Sequence, residues 1–214
     1  LLNELRIPDA KIFEASVFRK NLILYRKFTP NKEKQILRLL DQLKGTGIIY
    51  AKTRRTCEQL SNLLNKEGFG SCYYHAGIDE ASKAKNYDAW MSNKVKIMVA
   101  TTAFGMGIDK GDVRWVIHWD VPDTLEGYYQ EIGRAGRNGA ESKTYLLYNQ
   151  RDFERLNQSI EELPDIKGVE DFYRLFCSKH QIAVGAGLGL KVAFSIVELA
   201  EKMDLSIPTL LSYI

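Results

Sequence analysis

Cysteine is scarce in this chain, and its scarcity rules out two common architectures. Cys57, Cys72 and Cys177 stand far apart among 214 residues, with no C-x-x-C pair. An odd, dispersed set supports neither a disulfide framework nor a zinc cluster. Long apolar runs are also missing: none approaches the roughly 18 residues that suggest a membrane-spanning helix, and no secretory signal is visible. The expectation is a soluble, intracellular chain with no membrane partner. Neither sign of charge dominates, since 30 Lys+Arg against 27 Asp+Glu leave a net +3. That balance is compatible with nucleic acid without demanding it. The chain starts at Leu1 rather than Met and stops inside the helical pattern "IPTLLSYI", so a piece of a longer protein is expected.

With 45% hydrophobic residues, the chain can bury one domain and an appendage. From residue 22 onward, strand-like and helix-like segments alternate. "NLILYRKF", "GIIYA", "SCYYH", "KIMVAT", "RWVIHWD" and "KTYLLYN" read as strands. Between them lie amphipathic helices, with Thr29–Pro30, Thr53 and Asp79 as start signals and Gly68 as a stop. Short apolar strands alternating with such helices predict βαβ units and a mainly parallel sheet covered on both faces. In sheets of this kind, ligands bind beyond the carboxyl ends of the strands. "AKTRR", "HAGI", "TTAFGMGID" and the Gly/Arg stretch "YYQEIGRAGRNG" are expected together on that edge. After Pro164 the pattern changes to short helices, the glycine-rich "GAGLGL" and a helix-turn-helix rhythm. The expected domains are therefore 1–164 and 165–214.

Within "YYQEIGRAGRNG", Gly133, Gly136 and Gly139 recur at every third position, with Arg134 and Arg137 between them. A collagen reading needs many repeats and proline, and neither is present. A disordered Arg/Gly box does not fit between an apolar helix and an apolar strand. What remains is an ordered loop presenting two guanidiniums, rigid and permanently charged forks suited to phosphoryl oxygens. The competing structural reading is an arginine pair bonded to carboxylates of a neighbouring strand.

"QEIGRAGRNG" resembles motif VI of superfamily-two helicases in its RecQ form, and "VATTAFGMGIDKGDVRWVIHWDVP" resembles their motif V. "GIIYAKTRR" is similar to motif IV, "YYHAGI" to the motif after it, and "IFEASVFRKNLILY" to the approach to the second RecA-like domain. The likeness covers residues 12–160, with the motifs in order. It implies a RecA-like three-layer α/β domain of the P-loop NTPase type with a mainly parallel sheet, followed by a small helical extension. The implied activity is that of the C-terminal motor lobe of an ATP-dependent DNA helicase moving 3′ to 5′, with roles in DNA repair and recombination. Arg134 and Arg137 would reach ATP on the partner lobe, with Arg137 favoured as the arginine finger, and Gln130 would couple nucleotide state to lobe position. Asp109 and Gly107 would lie near the nucleotide.

For DNA, Thr53 at a helix N-terminus, Arg54 beside it, Thr101 and Thr102 below the glycine loop, and His75 are the candidate contacts to a single-stranded or forked backbone. Thr53 also reads as a plain helix cap, and His75 as a satisfied buried histidine. The chain has no G-x-x-x-x-G-K-[ST] and no acidic DExH box. ATP and Mg²⁺ would be held mainly by a first RecA-like domain in cis, and this chain alone would be inactive. The four-cysteine module that follows this domain in many RecQ enzymes is absent, so no zinc is expected. A monomer is expected, in bacterial cytoplasm or nucleoid, or in a nucleus. Two alternatives stand beside this reading: a catalytically inert nucleic-acid-binding module, and the lobe of an RNA helicase or chromatin remodeller.

Overall fold

The computed structural model describes residues 11, 18–105, 108–161 and 166–213. Six strands alternate with helices: β1 (Leu22–Phe28), α1 (Lys32–Leu40), β2 (Thr46–Tyr50), α2 (Arg54–Lys66), β3 (Ser71–Tyr74), α3 (Glu80–Met91), β4 (Ile97–Ala100), β5 (Val113–His118), α4 (Leu125–Ile132) and β6 (Ser142–Tyr148). Then come α5 (Gln150–Glu161), α6 (Ile166–Lys179), α7 (Ile196–Met203) and α8 (Ile207–Leu211).

The strands form one sheet in the order β1-β6-β5-β2-β4-β3, with every pairing parallel. β2 and β4 are buried along their whole length, which is why their sequences show continuous apolar runs instead of alternation. Successive side chains still point to opposite faces. Ile49, Val99 and Ile117 join a core with Ile36, Leu60 and Leu64 of α1 and α2. Their neighbours Ile48, Met98 and Val116 join a second core with Trp90 of α3, Phe104 and Ala135. The result is three layers, helix, sheet and helix.

The caps of α2 and α3 fall where the sequence places them. Thr53 accepts from the Thr56 N–H at 3.0 Å, and Asp79 from the Ser82 N–H at 2.9 Å. The start of α1 is a correction: Asn31, not Thr29, caps it, accepting from the Lys34 N–H at 2.8 Å. Thr29 is still committed to the sheet, donating its N–H to the Tyr148 carbonyl at 2.9 Å, so the helix starts only after Pro30.

The chain divides into two compact units, Leu1–Asp152 and Phe153–Ile214. Residues 162–165, next to the boundary expected from sequence, lie outside the described residues. In the second unit Leu199, Ala200 and Leu210 form a small core with Phe172 and Phe176. Its α7 ends at Asp204 in the left-handed region (φ 53), and α8 follows at once.

Candidate functional site

β3, β4 and β2 are neighbours in the sheet, so the loops leaving their carboxyl ends converge. After β2, the Lys52 N–H donates to Asp120 at 2.8 Å and its ammonium pairs with Asp123 at 2.7 Å, fastening this loop to the one after β5. Thr53, Arg54 and Arg55 follow and are exposed. Arg54 lies against Gly77 of "HAGI", where a Cβ would stand 2.9 Å from its guanidinium. His75 is 2 % exposed. Its Nδ1 accepts from the Gly77 N–H at 3.2 Å, so Nε2 carries the hydrogen and donates to Glu58 at 3.0 Å. Both nitrogens are engaged inside the protein, and His75 shapes the loop that receives Arg54. Thr101 is buried, donating its N–H to the Tyr74 carbonyl at 3.2 Å and accepting the Phe104 N–H at 2.9 Å. Thr102 beside it is exposed. Thr53, Arg54, Arg55 and Thr102 are among the outward-facing polar groups on this edge, with the Lys52–Asp123 pair beside them, and Thr101 and His75 are buried beneath.

The Gly/Arg stretch begins on that edge, with Tyr128 and Glu131 against His118 at the carboxyl end of β5, but does not stay there. α4 starts beyond the carboxyl end of β5 and runs back across the sheet, so the last part of the stretch arrives at the opposite end. There the Gly136 N–H donates to the carbonyl of Val113, at the start of β5, at 2.8 Å. The expectation that all four motifs share one edge is corrected in part for this reason: the Gly136 end departs from it, while the Arg134 guanidinium stays beside Gly105. The arginines nevertheless reach the glycine loop that starts at Thr101. A Cβ at Gly105 would come within 2.8 Å of an Arg134 guanidinium nitrogen, so any side chain there would push the guanidinium aside. Arg134 is half-buried and stands beside Tyr50, with its Nε lacking a partner among the described residues. Burial pushes the Tyr50 phenol upward, opposed by the Arg134 charge. Its hydroxyl donates to the Phe104 carbonyl at 3.1 Å.

Arg137 donates to the Ile108 carbonyl at 2.6 Å and to Asp109 at 3.1 Å. The Arg137 side chain is 34% exposed and that of Asp109 89%. Gln130 is exposed in the last turn of α4, while Gly107 lies outside the described residues.

Two groups escaped the sequence reading. Arg19 donates to the carbonyls of Gly133, Ala135 and Gly136 at 3.3, 3.3 and 2.5 Å. Asn21 adds bonds to Gly136 and Ala140 at 2.8 and 3.0 Å. Together they hold the arginine-bearing backbone from a place more than 100 residues earlier in the chain; their only local signal is a polar pair just before β1. The other is a buried pair, His118 Nε2 and Glu131 at 2.8 Å, which ties α4 to β5. A carboxylate flanked by Ile132 was its sequence signal.

The cysteines are free and buried. Burial pushes the thiols of Cys57 and Cys72 up to about 12, which disfavours the thiolate that a metal needs. Among the described residues no group of three or more His, Cys, Asp or Glu could hold a metal ion, and no helix is long and apolar enough to cross a membrane.

A wholly parallel, three-layered α/β unit, with a threonine- and arginine-bearing edge and an arginine pair against a glycine loop, is a RecA-like lobe of the kind found in helicases. The helicase conserved C-terminal domain matches residues 31–139, and the chain belongs to that family. Over 176 residues it is 37% identical to the RecQ-like DNA helicase blm-1 of Caenorhabditis elegans, covering 80% of this chain and 18% of that protein. Over 167 residues it is 36% identical to the ATP-dependent helicase SGS1 of Saccharomyces cerevisiae, covering 76% and 11%. The chain therefore spans less than a fifth of the length of these relatives. Among solved structures, a DEAD box protein from Methanococcus jannaschii aligns with TM-score 0.59 and 26% identity over 73% of this chain and 44% of that one.

Proposed function

We propose that this chain is the second motor lobe of a RecQ-like, ATP-dependent DNA helicase moving 3′ to 5′ along single-stranded or forked DNA. The observation that carries the proposal is the pair Arg134 and Arg137, both set against the glycine loop, one half-buried behind Gly105 and one near the surface with Asp109. An exposed ion pair of this type is worth about 0–1 kcal/mol. Arg137 can therefore leave Asp109 for the γ-phosphoryl oxygens of ATP presented by a first RecA-like lobe, where charge concentrates in the transition state. Arg134, with less freedom, keeps the glycine loop in register. Gln130 couples nucleotide state to lobe position from the same helix end. Mg²⁺ and most of the ATP contacts belong to the first lobe, so this chain alone does not turn over.

On the other edge, the N-terminal turn of α2 and Thr102 grip successive phosphates, with Arg54 and Arg55 supplying charge. His75 and Thr101 hold the loops beneath. Such contacts track a backbone without reading bases. The protein works as a monomer without zinc, in the compartment that holds its DNA. An inert binding module would have no use for nucleotide-facing arginines, and that weighs against the alternative.

The test is ATP hydrolysis by the full-length protein. Arg137→Ala should reduce DNA-stimulated turnover by about 10³ or more, the scale of arginine fingers. ATP and DNA affinity should stay within a few-fold, because the interaction forms chiefly in the transition state. Near-normal turnover in both Arg137→Ala and Arg134→Ala would sink the proposal.

A further inference from the structure

The amino-terminal edge of the sheet, away from the threonine-bearing loops, carries a second basic feature. Three helix-to-strand connections meet there. Lys44 comes from the α1–β2 connection, Gly68, Phe69 and Gly70 from α2–β3, and Lys94 and Lys96 from α3–β4. They border an open cavity of about 550 Å³ with an apolar floor and no carboxylate in its lining. The three lysines are exposed, and their ammonium groups have no ion-pair or hydrogen-bond partner among the described residues. In a chain with nearly balanced charge, three converging cations without a counter-charge are mutually repulsive and wait for an anion.

Gly70 adds a separate observation. Its φ is ordinary, and a Cβ built on it would meet nothing within 4 Å. Nothing inside the chain requires glycine there; the missing side chain leaves the cavity mouth open beside the half-buried Phe69 ring.

We propose that this bowl binds single-stranded nucleic acid through its phosphates, a second site on the opposite edge of the sheet from the proposed tracking surface. The volume falls in the range of roughly 300–1,000 Å³ that holds small ligands, so one nucleotide unit can enter it. Lysines spread over two connections, with the half-buried Phe69 ring in the same lining, make the combination that follows a strand without reading its bases. Lysine ammoniums bind phosphate as point charges. An acidic protein segment would favour arginine forks, and none lines the bowl.

The test uses this 214-residue chain and a fluorescent oligo(dT), titrated with salt. Lys44→Glu/Lys94→Glu/Lys96→Glu should weaken binding at low salt by tenfold or more. It should also flatten the slope of log affinity against log salt by about 2, because each phosphate neutralised on a single strand adds about 0.7 to that slope. Lys27→Glu/Lys34→Glu/Lys202→Glu changes net charge equally at exposed sites and should leave affinity within twofold. Arg54→Glu/Arg55→Glu reports on the tracking edge alone, so either site can fail without the other. Light-induced crosslinking of thymine to the wild-type chain should label the peptide holding Phe69. Wild-type affinity and slope in the bowl variant, equal loss in the charge-matched variant, or displacement of oligo(dT) by a polyglutamate peptide as readily as by unlabelled strand would each overturn the proposal.

Discussion

Gly136 shows what a single position can require. Its φ is +62, and an added Cβ would lie 2.5 Å from Asn21 Nδ2 and 2.8 Å from the Ala140 carbonyl and Ser142 Oγ. Two separate penalties apply, strain in the left-handed region and collision with neighbours that are themselves hydrogen-bonded. Gly136→Ala should lower stability by about 2–6 kcal/mol on this sum. Gly139 has φ +83 but open space around it, so Gly139→Ala should cost only about 1 kcal/mol, from backbone strain alone. Urea unfolding of the two variants checks the ranking, and equal losses would mean that the crowding at Gly136 relaxes away. Arg19 is a subtler case. Arg19→Lys keeps the charge but loses the fork that spans three carbonyls. In the full-length protein its turnover should fall while ATP affinity holds, although Arg19 is placed against backbone and not nucleotide. Unchanged turnover would show that the Gly/Arg backbone holds its shape unaided.

At the scale of the element, α2 carries two readings of one residue. Thr53 caps the helix, and the same free N–H groups suit a phosphate. Thr53→Asp separates the readings, because aspartate caps as well as threonine but repels a phosphate. Its melting temperature should match wild type, while affinity for single-stranded DNA should fall several-fold at low salt; unchanged affinity would leave Thr53 as a cap alone. The thiols make a second element-scale case, since Cys57 sits in α2 and Cys72 in β3. With both pushed up to about 12 by burial, neither is a thiolate at pH 8. A thiol reagent should label them slowly in the native chain and rapidly in denaturant. Fast native labelling would show that α2 opens from the sheet.

For the whole molecule, the two edges of one parallel sheet carry different groups. Loops at the carboxyl ends of β2, β3 and β4 present Thr53, Arg54 and Thr102; Arg134 reaches the glycine loop after β4, and the turn that follows it, at Gly136, lies at the start of β5. In the proposed function the lobe answers to nucleotide with one set of residues and holds DNA with another, and a second lobe completes both. This chain by itself should therefore show no ATPase above background and only weak, strongly salt-dependent binding to single-stranded DNA. Measurable turnover by the isolated chain would mean that a nucleotide site is complete here.

The alternation of strands and helices, the parallel sheet and two of the three caps were legible locally, because periodicity and capping depend on neighbours in sequence. The Gly/Arg stretch was legible as a loop built for guanidiniums, and its likeness to RecQ motifs identified the kind of lobe. Which edge that loop occupies was not, since only the length and direction of α4 across the folded sheet decide it. Nor could sequence show that Arg19 and Asn21 clamp its carbonyls from more than 100 residues away. The same holds for the three lysines gathered from two connections, and for His75 turning both nitrogens inward. Those facts belong to pairs of residues distant in the chain, and only closure of the sheet brings them within bonding distance.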